Sequence, residues 1–96
     1  MSAVCEAITN RRLLRIDYGA GERLIEPHAH GVSKDGNSLL RAYQVSGASE
    51  SGEPTNWKLF RMDRINSIQG TGQHFAGPRP DYNPNDPAME YVHCRI

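Results

Sequence analysis

Two guanidinium side chains stand three residues apart at Arg61 and Arg64, on either side of Met62 and Asp63. In an extended segment Arg61 falls opposite Phe60 and so points away from an apolar core. Two such groups at one corner can clamp a phosphate or a carboxylate through paired N–H donors. The same residues also suit a structural role, with Arg64 paired to Asp63 or Glu26 to lock the corner. A surface pair of that kind contributes only about 0–1 kcal/mol. Arg41 and Tyr43 share a strand face with Leu39. If that face opens on a groove, Tyr43 can stack on a base while Arg41 meets its phosphate. Otherwise Tyr43 covers the end of a closed sheet with its hydroxyl in water. Trp57 carries the same choice between an exposed stacking platform and an anchor beneath the N-terminal helix.

His28 and His30 stand two apart in an extended stretch, which points both the same way. Such a pair can hold zinc if two further ligands converge, for instance His93 and Cys94, but nothing in the spacing requires it. The alternative is a neutral histidine that faces a groove as a hydrogen-bonding group. Cys5 and Cys94 lie near opposite ends of the chain. Chain ends often lie close together, which leaves a bridge open; in a reducing cytoplasm two free thiols are expected.

Enzymatic chemistry finds little footing. Neither cysteine sits in a recognised nucleophile setting, and neighbours such as His93 and Cys94 point apart in a strand. The carboxylates are scattered, and the Gly-Thr-Gly of residues 70–72 is too short for a phosphate loop. No cofactor is called for, and the chain reads as non-enzymatic.

These side chains need elements to position them. Residues 3–11 read as one short helix, with Val4, Ala7 and Ile8 on one face. Ser2 and Cys5 lack the acidic partner of a capping box, and Asn10 is a plausible stop. Leu14, Ile16 and Tyr18 alternate with Leu13, Arg15 and Asp17 as a first strand. Gly19-Ala20-Gly21 is a turn signal. Residues 23–33 form a second strand that is an edge or bends at Pro27, which donates no backbone hydrogen bond. Asp35-Gly36 marks a hairpin. Residues 38–45 make a third strand, with Leu40 and Ala42 opposite Leu39, Arg41 and Tyr43. A polar loop over 46–55 leads to a fourth strand over 57–62, with Phe60 and Met62 opposite Trp57, Leu59 and Arg61. Asp63-Arg64 is a corner before a brief fifth strand over 65–69. From Gly70 the chain becomes proline-rich without alternation, a wrapped or disordered tail. Residues 89–96 alternate again as a sixth strand, paired internally or with a second chain. One helix and several short strands predict a mainly β, small antiparallel barrel.

The order of motifs is more specific than the periodicity. A helix ending in Arg11-Arg12 leads to Arg15-Ile16-Asp17-Tyr18. Then come Arg23-Leu24-Ile25-Glu26-Pro27, the Asp-Gly hairpin, Leu40-Arg41-Ala42-Tyr43, and Leu59-Phe60-Arg61-Met62-Asp63-Arg64-Ile65. Over about residues 4–70 this resembles the WYL domain of bacterial regulators. The resemblance implies an SH3- or Sm-like barrel over residues 1–70; residues 71–96, outside the match, read as a C-terminal tail with the extra strand at its end. It implies regulation of transcription or of phage defence, with a nucleotide or single-stranded nucleic acid as effector. Arg61 and Arg64 match basic positions that face the family's ligand groove; Arg41, Tyr43, His28 and His30 would complete it. The family's naming tripeptide aligns with Ser38-Leu39-Leu40, so only its last position is kept, and the usual winged-helix DNA-binding domain is absent from these residues.

Totals narrow the reading. The 96 residues suit one compact domain, 38% hydrophobic and 23% charged. No apolar run approaches the roughly 20 residues of a membrane span, and the first residues carry no export signal, so a cytoplasmic location is expected. The 11 basic and 11 acidic residues balance. Bulk electrostatic binding to nucleic acid needs a basic excess, so any anion site must be local. The neutral balance and the lost aromatic at Leu39 favour a second reading, a protein-interaction or assembly module. Its partner would be a second copy or a regulatory protein, bound along the barrel edge beside Pro27 or through the tail 82–96 by strand addition.

Overall fold

A computed structural model describes residues 3–49 and 52–96. Ser2, the expected helix start, and two residues of the polar loop, Glu50 and Ser51, lie outside the described residues. The elements are α1 (Ala3–Asn10), β1 (Arg12–Tyr18), β2 (Gly21–Val32), β3 (Ser38–Gly47), β4 (Asn56–Arg61), a 3-10 turn (Met62–Arg64), β5 (Ile65–His74) and β6 (Tyr91–Arg95). All strands join one antiparallel sheet in the order β4-β3-β2-β1-β5, with β6 added to β2. No helix of the described residues is long and apolar enough to cross a membrane.

At eight residues α1 is too short to hold its helix by hydrogen bonds alone. It persists because Val4, Ala7 and Ile8 are buried against the sheet. They join Leu14, Ile16, Ile25, Leu40, Ala42 and Phe60 in the main core. The alternation read in β1, β3 and β4 therefore orients the sheet correctly. A smaller cluster of Ala29, Leu39 and Met89 forms separately. Leu39 thus packs under the C-terminal segment.

Pro27 does not mark an edge. β2 is flanked along its length, by β3 on one side and by β1 then β6 on the other. Pairing with β1 is last seen at Leu14–Ile25, and pairing with β6 begins at Ala29. Pro27, which has no N–H to give, sits in the gap between those two partners. The register with β3 slips between Pro27 and Ala29, so the strand bends there. Gly36, at φ +86°, makes the expected Asp-Gly turn. Gly31 has a different duty: a Cβ there would run into the Tyr91 carbonyl and the Met89 sulfur. Its bare backbone lets β6 approach.

Two expectations need correction. β5 does not stop near Gln69; it pairs with β1 as far as Arg12–His74. The added residues are mostly exposed, so no apolar alternation announced them. The cysteines are not free thiols. Cys5 and Cys94 form a disulfide with Cα atoms 5.7 Å apart, joining α1 to β6. The pairing of β6 with β2 is the internal alternative read for the sixth strand, and it carries the C-terminus back to the first helix.

Candidate binding face

Residues 75–90 contain no helix or strand and cross from the end of β5 to the start of β6. Their path lies against side chains of β2, β3 and β4, and there three of the predicted site residues, His28, Arg41 and Tyr43, meet partners that the sequence did not identify.

His28 is fully buried. The Arg79 backbone N–H donates to its Nε2 at 3.1 Å, which makes that nitrogen an acceptor and places the ring proton on Nδ1. Nδ1 then donates to the Glu26 carbonyl at 2.8 Å. Burial holds its pKa below the ordinary histidine value, against the raising effects of the Glu26 carbonyl and carboxylate. The ring is enclosed by Trp57, Tyr82 and Phe75, with centroids at 4.7, 5.1 and 5.3 Å. His28 is thus a neutral pillar beneath the crossing segment, and neither ring nitrogen is left for a ligand.

Beside it, Arg79 forks onto the buried Glu26 carboxylate at 2.7 and 3.0 Å. Its guanidinium carbon lies 4.4 Å from the centre of the Tyr43 ring. Ring and carboxylate together hold one cation, and the hydrogen bonds that Arg79 donates to Glu26 raise its pKa. Tyr43 is therefore not free in water: Arg79 lies over its ring. Arg41 is likewise engaged. Its Nε and Nη2 donate to Asp86 at 2.6 and 3.2 Å. Burial pushes the Asp86 pKa up, but the Arg41 and Ala88 hydrogen bonds and the Arg41 charge outweigh it, so Asp86 titrates below the usual carboxylate value.

Trp57 sits between these pairs. Its indole N–H donates to the Pro80 carbonyl at 3.1 Å. Its ring meets Tyr43 edge-on and lies nearly parallel to Tyr82, 6.1 Å away. It anchors the crossing segment rather than the N-terminal helix. A hollow of about 160 Å³ opens here, walled by Trp57 and Tyr82, with Arg41, Asp81 and Asp86 among its polar lining. A shallower hollow of about 320 Å³ lies over Glu26 and Arg79.

The other predicted residues stand elsewhere. Arg61 donates to Asp63 at 2.8 Å and to Asn37 at 3.3 Å. Arg64 is exposed, and its side chain makes no hydrogen bond or ion pair among the described residues. The partners considered for Arg64 are thus taken by other arginines: Asp63 by Arg61 and Glu26 by Arg79. Neither Arg61 nor Arg64 lines the hollow beside Trp57 or the one over Glu26 and Arg79. His30 Nδ1 donates to the Leu39 carbonyl at 2.9 Å, and its ring lies 5.1 Å from that of His93. Cys94 is bridged, and among the described residues no three His, Cys, Asp or Glu side chains gather as a metal site.

Sequence reasoning missed Arg79, Asp81, Tyr82 and Asp86, all in the stretch read as a proline-rich tail. A signal was present: an aromatic and charges of both signs, set among prolines that stiffen the chain. No protein-family model, curated protein or solved structure matches this chain.

Proposed function

We propose that this chain is a non-enzymatic recognition module that takes a ligand group on the β3–β4 face, at the hollow beside Trp57. The single observation that carries the reading is that hollow: an aromatic-walled space of about 160 Å³ with charged groups of both signs on its rim. Pockets that bind small groups are concave and mostly apolar, with a few placed polar atoms. A space of about 150 Å³ can admit one ring or the tip of a side chain, and whole drug-sized ligands need roughly 300 Å³ or more.

The sheet is proposed to curl into an SH3- or Sm-like barrel. Its two outer strands, β4 and β5, are joined by only the three-residue 3-10 turn, and one continuous core lies inside. The WYL-like role in regulation of transcription or phage defence is a proposal on the same footing, supported by motif order alone. The Cys5–Cys94 bridge argues for an oxidising setting over the reducing cytoplasm.

A second reading keeps an anionic ligand, a nucleotide or single-stranded nucleic acid, at the Arg61–Arg64 corner. What favours it is that the Arg64 side chain is exposed and makes no hydrogen bond or ion pair among the described residues, three positions from Arg61. Backbone chemical-shift mapping tests both. The ¹⁵N-labelled chain is titrated separately with arginine amide, adenosine monophosphate and a short single-stranded oligonucleotide. Shifts centred on the Trp57 indole N–H and residues 81–87 support the first reading. Shifts confined to residues 61–65 move the site to the corner. No saturable shift with any probe removes both.

A further inference from the structure

We infer that the hollow between Trp57, Tyr82 and Asp81 is a site for an organic cation: an ammonium or guanidinium head, carried either by a small amine or by a basic side chain of a partner polypeptide. This rests on the proposed binding role of the β3–β4 face and names the chemistry that the face selects.

The first argument is charge. Two carboxylates, Asp81 and Asp86, and one guanidinium, Arg41, line the hollow. Asp86 and Arg41 neutralise each other through a two-point contact. Asp81 is exposed and makes no hydrogen bond or ion pair among the described residues. The uncompensated charge of the lining is therefore negative. Arg95 bears on the Tyr82 hydroxyl but does not line the hollow. The aromatic walls act in the same direction, because a ring face is the negative end of its quadrupole and attracts cations. An anion would meet repulsion from the Asp81 carboxylate.

The second argument is precedent within the same face. Arg79 is held there by one ring, Tyr43, and one carboxylate, Glu26. The adjoining hollow offers the same two ingredients, the Trp57 and Tyr82 rings and the Asp81 carboxylate. Its own basic side chain, Arg41, is already committed to Asp86. Size agrees: about 160 Å³ suits a guanidinium or alkylammonium head and excludes a nucleotide.

Trp57 is the only tryptophan, so its emission reports on this hollow alone. The intact chain is titrated at constant ionic strength with tetramethylammonium, arginine amide, a blocked Gly-Arg-Gly peptide, acetate and phosphate. Saturable changes with the cations and none with the anions are expected. Asp81→Asn is the matching variant, since Asp81 has φ +71° and asparagine tolerates that left-handed backbone. It should weaken cation binding about two- to fivefold with an unchanged circular dichroism spectrum. Tyr82→Leu should weaken it by about tenfold, read by Trp57 emission in the same way. A peptide that binds more tightly than arginine amide assigns the cation to a partner chain; equal or weaker binding assigns it to a small amine. Saturation by anions alone overturns the cation assignment and leaves the binding face intact, as does an Asp81→Asn protein that binds cations as well as the parent. No response to any probe removes the binding face itself.

Discussion

Arg41 reaches across 45 positions of sequence to grip Asp86 at two points, and this pair fastens the irregular C-terminal crossing to the middle of the sheet. The Arg41 side chain is 27% exposed and that of Asp86 5%. A pair this enclosed is costly to break from one side, because the surviving charge stays half-desolvated.

Asp86→Ala should therefore lower the free energy of unfolding by about 2–4 kcal/mol, a little below the figure for a fully buried pair because Arg41 retains some water. Arg41→Ala should cost a similar amount, and the double variant clearly less than the sum. Urea unfolding of the four proteins provides the check. Additive costs would show that the contact carries no coupling.

Reduction of the Cys5–Cys94 bridge should destabilise the chain by up to about 4–5 kcal/mol, the chain-entropy figure for a loop of this length. Guanidinium unfolding with and without a dithiol reductant measures it. Intact-mass analysis of protein purified without reductant should show the loss of two hydrogens. An unchanged midpoint after full reduction would remove the bridge from the list of stabilising links.

Acid should act through His28 first. Its folded pKa is lowered, so between the folded and unfolded values the unfolded chain binds the extra proton. Stability from this residue is present above the unfolded value of 6.5 and is lost as the pH falls toward the folded one. Asp86 follows at lower pH. Its folded pKa is also depressed, so its contribution is present above 3.8 and lost as the pH falls through the folded value. Unfolding curves from pH 8 downward should show two successive declines. The first should be absent in His28→Gln, which cannot take up a proton.

Gly31→Ala should displace β6 without unfolding the sheet. The added methyl would meet the Tyr91 carbonyl, which belongs to backbone and cannot swing aside. An overpacking cost of about 1–3 kcal/mol is expected. Amide hydrogen exchange should accelerate over residues 89–96 and remain slow in β1 to β3.

The sheet was legible in the sequence because its buried faces alternate. Leu14 with Ile16, Leu40 with Ala42, and Phe60 each fell on the face that forms the core. The Asp35-Gly36 turn and the end of the helix at Asn10 were readable from local chemistry. Pro27 was half-readable: its bend followed from the missing donor, but the change of partner from β1 to β6 depends on where Tyr91 returns. The site was less legible. Arg41, Tyr43 and His28 were singled out as polar groups in strands, and the structure does place them on one face. Asp86 lies 45 positions from Arg41 and Arg79 lies 51 from His28, both in a segment with no periodicity. Such long-range pairing leaves no local pattern. Arg61 and Arg64 stood out as a neighbouring pair, but that Arg61 would meet Asp63 and Asn37 was not read from the sequence.

The crossing segment is tethered at one end by β5 and at the other by the bridged β6. A segment so leashed cannot diffuse away when it lifts; it stays near the sheet at an effective concentration on the order of millimolar. Any outside molecule that aims for Tyr43 or Arg41 thus competes with a built-in occupant that is always at hand. Only strong or abundant competitors can win those positions, whereas the space beside Asp81 is open to weak ones.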